Sequence, residues 1–408
     1  MYIKRTMEAS LKQASSTFPV VMITGPRQVG KTTLLQHCAS PDRRYVTLDD
    51  LNERALAQKD PELFFKRNPP PILIDEVQYA PNLFSYIKII CDHERKPGLF
   101  WLTGSQKFHL MKNISESLAG RIAILNLLGL SQAEIFHHAQ ENNPLLPTPE
   151  WLNNARKHAV TSMSLMDTYK RIWLGSFPQL IHRSDTDRDL FYGSYVQTYI
   201  QRDVREITNI TNETGFYNFL RALAARSGHL LNYADLARDA EIDHRTVKDW
   251  LTILETSGII YLLRPYHNNV VNRLTKTPKI YFLDTGLCSY LCRWQSVESL
   301  EAGAQSGNIL ETYMFSEILK SYWNSGKEAY FHFYRDKDQK EIDLIIDQNN
   351  TLYPIEMKKT ANPLNNAPSN FNFLSRLQKP MGHGMVLCLT EKDFPLSPSV
   401  DAVPLRYL

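Results

Sequence analysis

Gly25-Pro-Arg-Gln-Val-Gly30-Lys31-Thr32 sets two glycines, a lysine and a hydroxyl at the spacing G-x-x-x-x-G-K-[ST]. Glycines let the backbone curl so that successive N–H groups face one point, and a helix starting there adds its positive end. Such a loop holds nucleotide phosphates. Lys31 is expected at the β and γ phosphates, Thr32 at a Mg²⁺ ion, and Gly25, Gly30 and Thr33 within the nucleotide-binding stretch. The loop follows an apolar strand, Val20–Thr24, and opens a helix, as this chemistry requires. About 45 residues on, Ile72-Leu73-Ile74-Asp75-Glu76 reads as a buried strand ending in two carboxylates. Asp75 is expected to hold Mg²⁺ and Glu76 to polarise the attacking water, and a Glu directly after the Asp favours ATP hydrolysis over a GTPase switch. The next apolar run, Leu99–Leu102, ends in Thr103-Gly104-Ser105-Gln106. Ser105 or Gln106 is then a candidate γ-phosphate sensor, with Ser105 as an N-cap of the following helix as the alternative. Arg121 is a candidate arginine finger, acting on its own or a neighbouring subunit's phosphate, or else a surface ion pair.

A second group of chemistry-bearing residues lies near the other end. Glu341-Ile-Asp343-Leu-Ile-Ile-Asp347 and Thr351-Leu-Tyr-Pro-Ile-Glu356-Met-Lys358 flank Gln348-Asn349-Asn350. Asn tolerates positive φ, so the Asn pair suits a two-residue hairpin turn. Pairing Gln348 with Thr351 sets Asp343 directly across from Glu356, on one face, with Lys358 following at period two. This arrangement resembles the D…E-x-K site of PD-(D/E)XK nucleases. That resemblance implies Mg²⁺ at Asp343 and Glu356, a water positioned by Lys358, and Glu311 on the preceding helix as an additional acidic ligand. A nuclease-type fold kept for binding alone, and a solvated hairpin with an ion pair, fit the same residues.

GPRQVGKTTLL, LIDEVQ with Pro81 and Leu83 after it, LTGSQ, SLAGR followed by LGLSQAEI, Tyr199-Ile-Gln-Arg202-Asp203-Val204 and Pro265-Tyr266 together resemble a family of bacterial and archaeal AAA-type ATPases. Members of that family carry a C-terminal domain of unknown function. The resemblance spans nearly the whole chain and implies ATP binding and hydrolysis at Lys31, Thr32, Asp75 and Glu76. Arg202 and Arg205 read as nucleotide contacts or as helix-surface ion pairs.

The elements that must position these groups are legible as patterns. From Phe18 to about Leu130, short Val/Ile/Leu-rich runs alternate with helical stretches, the pattern of a parallel sheet covered on both faces. Residues from about Ser162 to Ala225 read as helical. Tyr233 to Ser257 reads as helix–turn–helix, with Leu236, Ala237 and Ala240 on one buried face, Val247, Leu251 and Leu254 on the other, and Asp243 as a cap. Runs Gly258–Leu263 and Lys279–Leu283 are expected to form the wing of a winged helix. A DNA-reading version would present His244, Arg245 and Lys248 to the major groove, whereas a packing module would bury that face. The last hundred residues return to α/β. The expected fold is α/β: a P-loop NTPase parallel-sheet domain (1–150), a helical and winged-helix middle (151–295) and a PD-(D/E)XK-like domain (296–408).

Composition excludes several classes. The chain has 408 residues, and Lys plus Arg (46) against Asp plus Glu (43) leaves a net charge of +3. That balance neither demands nor forbids nucleic acid. Five scattered cysteines without a CxxC pair argue against a zinc or disulfide framework. No apolar leader or 18-residue apolar run is present, so the sequence predicts a cytoplasmic protein with no membrane partner. ATP and Mg²⁺ are the expected cofactors. DNA and self-association through the ATPase domain are the expected partners, with a regulatory ATPase carrying non-catalytic C-terminal modules as the alternative.

Overall fold

The computed structural model describes residues 2–104, 117–139, 143–159, 163–183, 185–200, 212–267, 276–336, 338–363 and 371–408. Ser105, Gln106, Arg202, Asp203 and Arg205 lie outside the described residues.

Five apolar runs form a parallel sheet: β1 (Val20–Thr24), β2 (Arg44–Thr47), β3 (Ile72–Asp75), β4 (Phe100–Gly104) and β5 (Ile122–Asn126), in the order β2-β3-β4-β1-β5. Period-two alternation sends Val21 and Ile23 to one apolar cluster and Val20 and Met22 to another, so both faces are covered. Parallel strands finish on a common edge. Register aligns Ile23 with Thr103, Ile74 with Leu102, and Thr47 with Asp75, so the phosphate loop after β1 and the acids after β3 share that edge. β4 lies between β1 and β3.

The middle of the chain is helical, including Leu165–Leu174, Arg188–Tyr195 and Glu213–Ala224. It continues into the helix–turn–helix Tyr233–Ala240 and His244–Thr256. Asp243 caps the second helix by accepting from the N–H groups of Arg245 and Thr246, both at 2.9 Å. Val247, Leu251 and Leu254 are buried as their spacing predicts, while His244, Arg245 and Lys248 are exposed. An antiparallel ribbon follows, β6 (Ile260–Leu263) on β7 (Lys279–Phe282). The expected pairing is present, but every residue of β7 is buried, so these strands are not a free wing. Tyr281 of β7 stacks on Phe315, and Gly258, just before β6, approaches Pro26.

The C-terminal region is a second, mixed sheet: β8 (Phe331–Arg335), β9 (Glu341–Gln348), β10 (Thr351–Met357), β11 (Gly384–Cys388), β12 (Phe394–Ser397) and β13 (Val400–Pro404), ordered β12-β13-β11-β10-β9-β8. The long helix Ser306–Asn324 packs on it and is almost wholly buried. One apolar cluster runs from Met7 and Leu34 through Tyr192, Trp250, Tyr281 and Phe315 to Leu405, so the three segments share a core.

Arg5 ties the first helix, the phosphate loop and the segment after β5 together. It is buried and pairs with buried Glu134 at 3.1 Å. It also donates to the carbonyls of Val29 (2.9 Å) and Leu128 (2.7 Å). Glu134 in turn accepts from the backbone N–H of Thr6 (2.8 Å) and Ser131 (2.9 Å). Removing the guanidinium leaves a buried carboxylate uncompensated. Arg5→Met should therefore lower stability by about 3–5 kcal/mol, read as a fall in the urea midpoint. Adding Glu134→Gln should cost much less in that background than in the native chain.

Candidate functional site

The nucleotide loop is built where its sequence predicts. Gly25 has φ 142°, and a Cβ there would lie 2.0 Å from the Leu127 carbonyl oxygen, so no side chain fits. Gly30, at φ 92°, turns the chain into the helix Lys31–Cys38. Lys31 is buried, its Nζ donating to the carbonyls of Gly25 (3.0 Å) and Pro26 (2.8 Å). The ammonium thus lies against its own loop. Thr33 is exposed on the helix surface.

Thr32 and Asp75 meet, the Thr32 hydroxyl donating to Asp75 Oδ1 at 2.7 Å. Both are hard oxygen donors of the kind Mg²⁺ prefers, so these residues fit the ion. Burial raises the Asp75 carboxyl above its ordinary range, against the opposing pull of the Thr103 and Thr32 hydroxyls. Thr103 was not singled out from the sequence. Its hydroxyl donates to Asp75 Oδ1 in a short contact and accepts from the Glu76 N–H at 3.0 Å. Thr103 thus fixes both acids at once. Only the strand order reveals this, because β4 inserts between β1 and β3. Tyr45 adds a longer bond to Asp75 Oδ2, 3.3 Å. Glu76 stands in a left-handed conformation, φ 56°, and accepts a short bond from the Gln78 side-chain amide.

Arg121 is elsewhere. It immediately precedes β5, and its carbonyl accepts from the N–H of Val20, at the start of β1. A five-residue strand at about 3.3 Å per residue puts it roughly 16 Å from the phosphate-loop edge. Its Nε pairs with Asp92 at 2.6 Å. The expectation that it reaches its own subunit's phosphate is corrected: it faces the opposite edge of the sheet.

The C-terminal hairpin has the anticipated register. Gln348 pairs with Thr351 and Leu344 with Ile355, and Asn349 and Asn350 both have positive φ. One step along, Asp343 and Glu356 share a face with Lys358. Lys358 Nζ is 3.2 Å from Asp343 Oδ2 and 2.5 Å from Glu356 Oε2. Asp343 Oδ2 also accepts from the N–H of Met357 at 2.9 Å. Both carboxylates are buried, and Glu356 Oε1 has no hydrogen-bond partner among the described residues. Burial and the neighbouring Asp343 charge push Glu356 up to about 8. Burial also opposes ionisation of Asp343, but Lys358, Lys279 and the Met357 N–H outweigh it and hold Asp343 below its ordinary value.

Glu311 joins this group, its carboxyl raised to about 7 by burial and by Asp343. Yet among the described residues no three acidic, histidine or cysteine side chains are arranged to hold a metal ion. The expected Glu311–Asp343–Glu356 ligand set is corrected to that extent, and the physical reason is a lysine that sequence reading missed. Lys279 Nζ lies 3.3 Å from Glu311, 2.5 Å from Glu341 and 3.7 Å from Asp343. No local pattern marks it, since it comes from a strand some sixty residues before the hairpin.

Comparisons with known proteins match three stretches of the chain. A family profile described as AAA domain matches residues 17–136. Two profiles described as domains of unknown function match 166–298 (DUF8612) and 306–408 (DUF4143). The chain thus carries an AAA-type P-loop ATPase domain followed by a distinct C-terminal domain. An uncharacterized protein of Mycobacterium tuberculosis is 27% identical over 405 residues, 98% of this chain and 83% of its own length. Another, of Methanocaldococcus jannaschii, is 24% identical over 328 residues, covering 72% of this chain and 66% of its own. A solved Walker-type ATPase of Pyrococcus abyssi is similar over 71% of this chain and 96% of its own, at 15% identity and a TM-score of 0.42. No helix among the described residues is long and apolar enough to cross a membrane.

Two outcomes are expected. Thr103→Val, which keeps the shape and removes the hydroxyl, should lower ATP turnover by about tenfold or more while nucleotide affinity stays within about twofold; a fluorescent-nucleotide titration beside steady-state turnover separates the two. In chelator, the folded chain keeps a proton on Glu356 up to about pH 8, whereas the unfolded chain releases it near 4.3. The native state then binds more protons across that window, so the contribution of this group to stability falls as pH rises through it. The melting temperature of Glu356→Gln should accordingly decline less between pH 6 and 8.5 than that of the native chain.

Proposed function

We propose that the chain is an ATP-hydrolysing AAA-type ATPase that acts on DNA through its C-terminal domain. The carrying observation is the Thr32–Asp75 pair beside Lys31, with Thr103 holding Asp75 and the backbone of Glu76. Bound ATP with Mg²⁺ would supply the phosphoanhydride and the ion that draws charge from it. Lys31 would bind phosphate oxygens, Thr32 and Asp75 would hold the ion, and Glu76 would orient water. Ser105 and Gln106 remain candidates for sensing the γ phosphate. Arg121 retains only a role toward a neighbouring subunit, which would follow from self-association through the ATPase domain.

For the C-terminal domain, the pairing of Asp343 with Glu356 beside Lys358 supports a nuclease-type site of the PD-(D/E)XK kind. A helix followed by three antiparallel strands and a fourth parallel one is compatible with that class. The exposed His244, Arg245 and Lys248 at the start of the second helix of the helix–turn–helix support a winged-helix contact with DNA. A second reading has its own observation. Because Lys279 already occupies the carboxylates, the domain would serve as a binding module under a regulatory ATPase.

Purified protein incubated with Mg²⁺ or Mn²⁺, plasmid and ATP tests both. Hydrolysis should be lost in Lys31→Ala and reduced by at least about a hundredfold in Glu76→Gln. Native hydrolysis that survives Lys31→Ala would overturn the ATPase reading. Metal-dependent nicking lost in Asp343→Ala and Lys358→Ala would establish the nuclease. Intact plasmid with normal hydrolysis would leave the binding module.

A further inference from the structure

The buried acidic cluster is not filled by its own domain alone. Lys279, the first residue of β7, is 3% exposed and reaches across from the ribbon. Two residues along the same strand, on the same face, the Tyr281 hydroxyl donates to Glu311 Oε1 at 2.6 Å. Thus one strand of the middle region delivers both a cation and a hydrogen-bond donor to the C-terminal carboxylates.

Glu311, Glu341, Asp343 and Glu356 face Lys279 and Lys358, with Arg335 on Glu341 at 3.4 Å, and burial raises the proton affinity of Glu311 and Glu356. A buried carboxylate needs a cation or a proton as compensation, and on the Glu311 side Lys279 supplies the cation. The two lysines take different sides of Asp343. Lys358 meets Oδ2, next to Glu356, whereas Lys279 meets Oδ1, next to Glu311. Lys279 therefore stands between Glu311 and Asp343, two of the acids placed in the metal set. Its nitrogen is 3.3 and 3.7 Å from them, whereas Mg²⁺ holds oxygen at about 2.0–2.1 Å. The ammonium group thus contacts both acids on the side where a shared ion would have to lie. A divalent ion at that position would supply twice the charge and require the lysine to leave.

We propose that Lys279 is a built-in cation that competes with a divalent metal for Glu311 and Asp343, so that β7 of the middle region holds the C-terminal site closed. This rests on the reading of Asp343 and Glu356 as a metal site.

The test uses the full chain without nucleotide and two readouts. Free Mn²⁺ is measured by electron paramagnetic resonance for the native chain, Lys279→Met and Asp343→Asn. Acetylation of Lys279 by an N-hydroxysuccinimide ester is measured by mass spectrometry with and without Mn²⁺, with exposed Lys96 as reference. Lys279→Met should bind Mn²⁺ at least about tenfold more tightly at a site that Asp343→Asn removes from the native chain. In the native chain, Lys279 should be protected without metal and at least about fivefold more reactive with it. Equal Mn²⁺ affinity in native and Lys279→Met chains, with Lys279 protected throughout, would overturn the lock and leave the metal site standing. Absence of any Asp343-dependent Mn²⁺ binding in both chains would overturn the metal reading and the lock with it. Should Lys279→Met not fold, the acetylation of the native chain decides, an unchanged rate counting against the lock.

Discussion

Arg5 is the constraint on which the rest of the structure depends. A guanidinium cannot shed its proton, so once buried it must find acceptors on every side. Here it finds a carboxylate on Glu134, a carbonyl in the phosphate loop and another just beyond β5. Glu134 extends the tie through its bond with Asn324, at the end of the long C-terminal helix, 3.4 Å away. These bonds, together with the apolar cluster that runs through all three segments, join the phosphate loop to the C-terminal helix. Close by, Lys320 repeats the logic, donating to the Leu130 carbonyl at 3.0 Å and to Glu317 at 2.8 Å.

What the sequence made legible was local. Gly25, Gly30, Lys31 and Thr32 are interpretable because the backbone itself does the binding and the glycines must stand at fixed offsets. The hairpin was legible for a similar reason. Two adjacent Asn residues select the turn, the turn selects the register, and the register decides that Asp343 meets Glu356. Thr103, Lys279 and Tyr281 were not legible, because each acts on a residue brought near by sheet order or by packing between segments. Arg121 misled for the same reason. Its neighbours in sequence suggest a catalytic arginine, but the direction of β5 places it at the wrong edge. The terminal strands β12 and β13 were also missed, as Pro395, Ser397 and Pro404 interrupt the β pattern.

The two candidate sites use opposite electrostatic strategies. At the nucleotide loop, Lys31 is satisfied by neutral carbonyls, which a phosphate can outbid with full negative charge. The cluster around Asp343 instead has more acids than bases, and its lysines are ion-paired. The first is held by neutral dipoles and the second by opposed charges, in one chain and on one continuous core.

The ribbon β6–β7 has two ends. At one, Leu263 pairs with Lys279; at the other, Ile260 pairs with Phe282 just after Gly258. Gly258 has φ 73°, and a Cβ there would press on the ring of Pro26 at 3.0 Å. Pro26 belongs to the phosphate loop. The ribbon is thus a strut of four residue pairs with its heel against the loop that grips phosphate and its toe in the acidic cluster. A side chain at Gly258 would act as a shim between strut and phosphate loop, altering how one seats against the other.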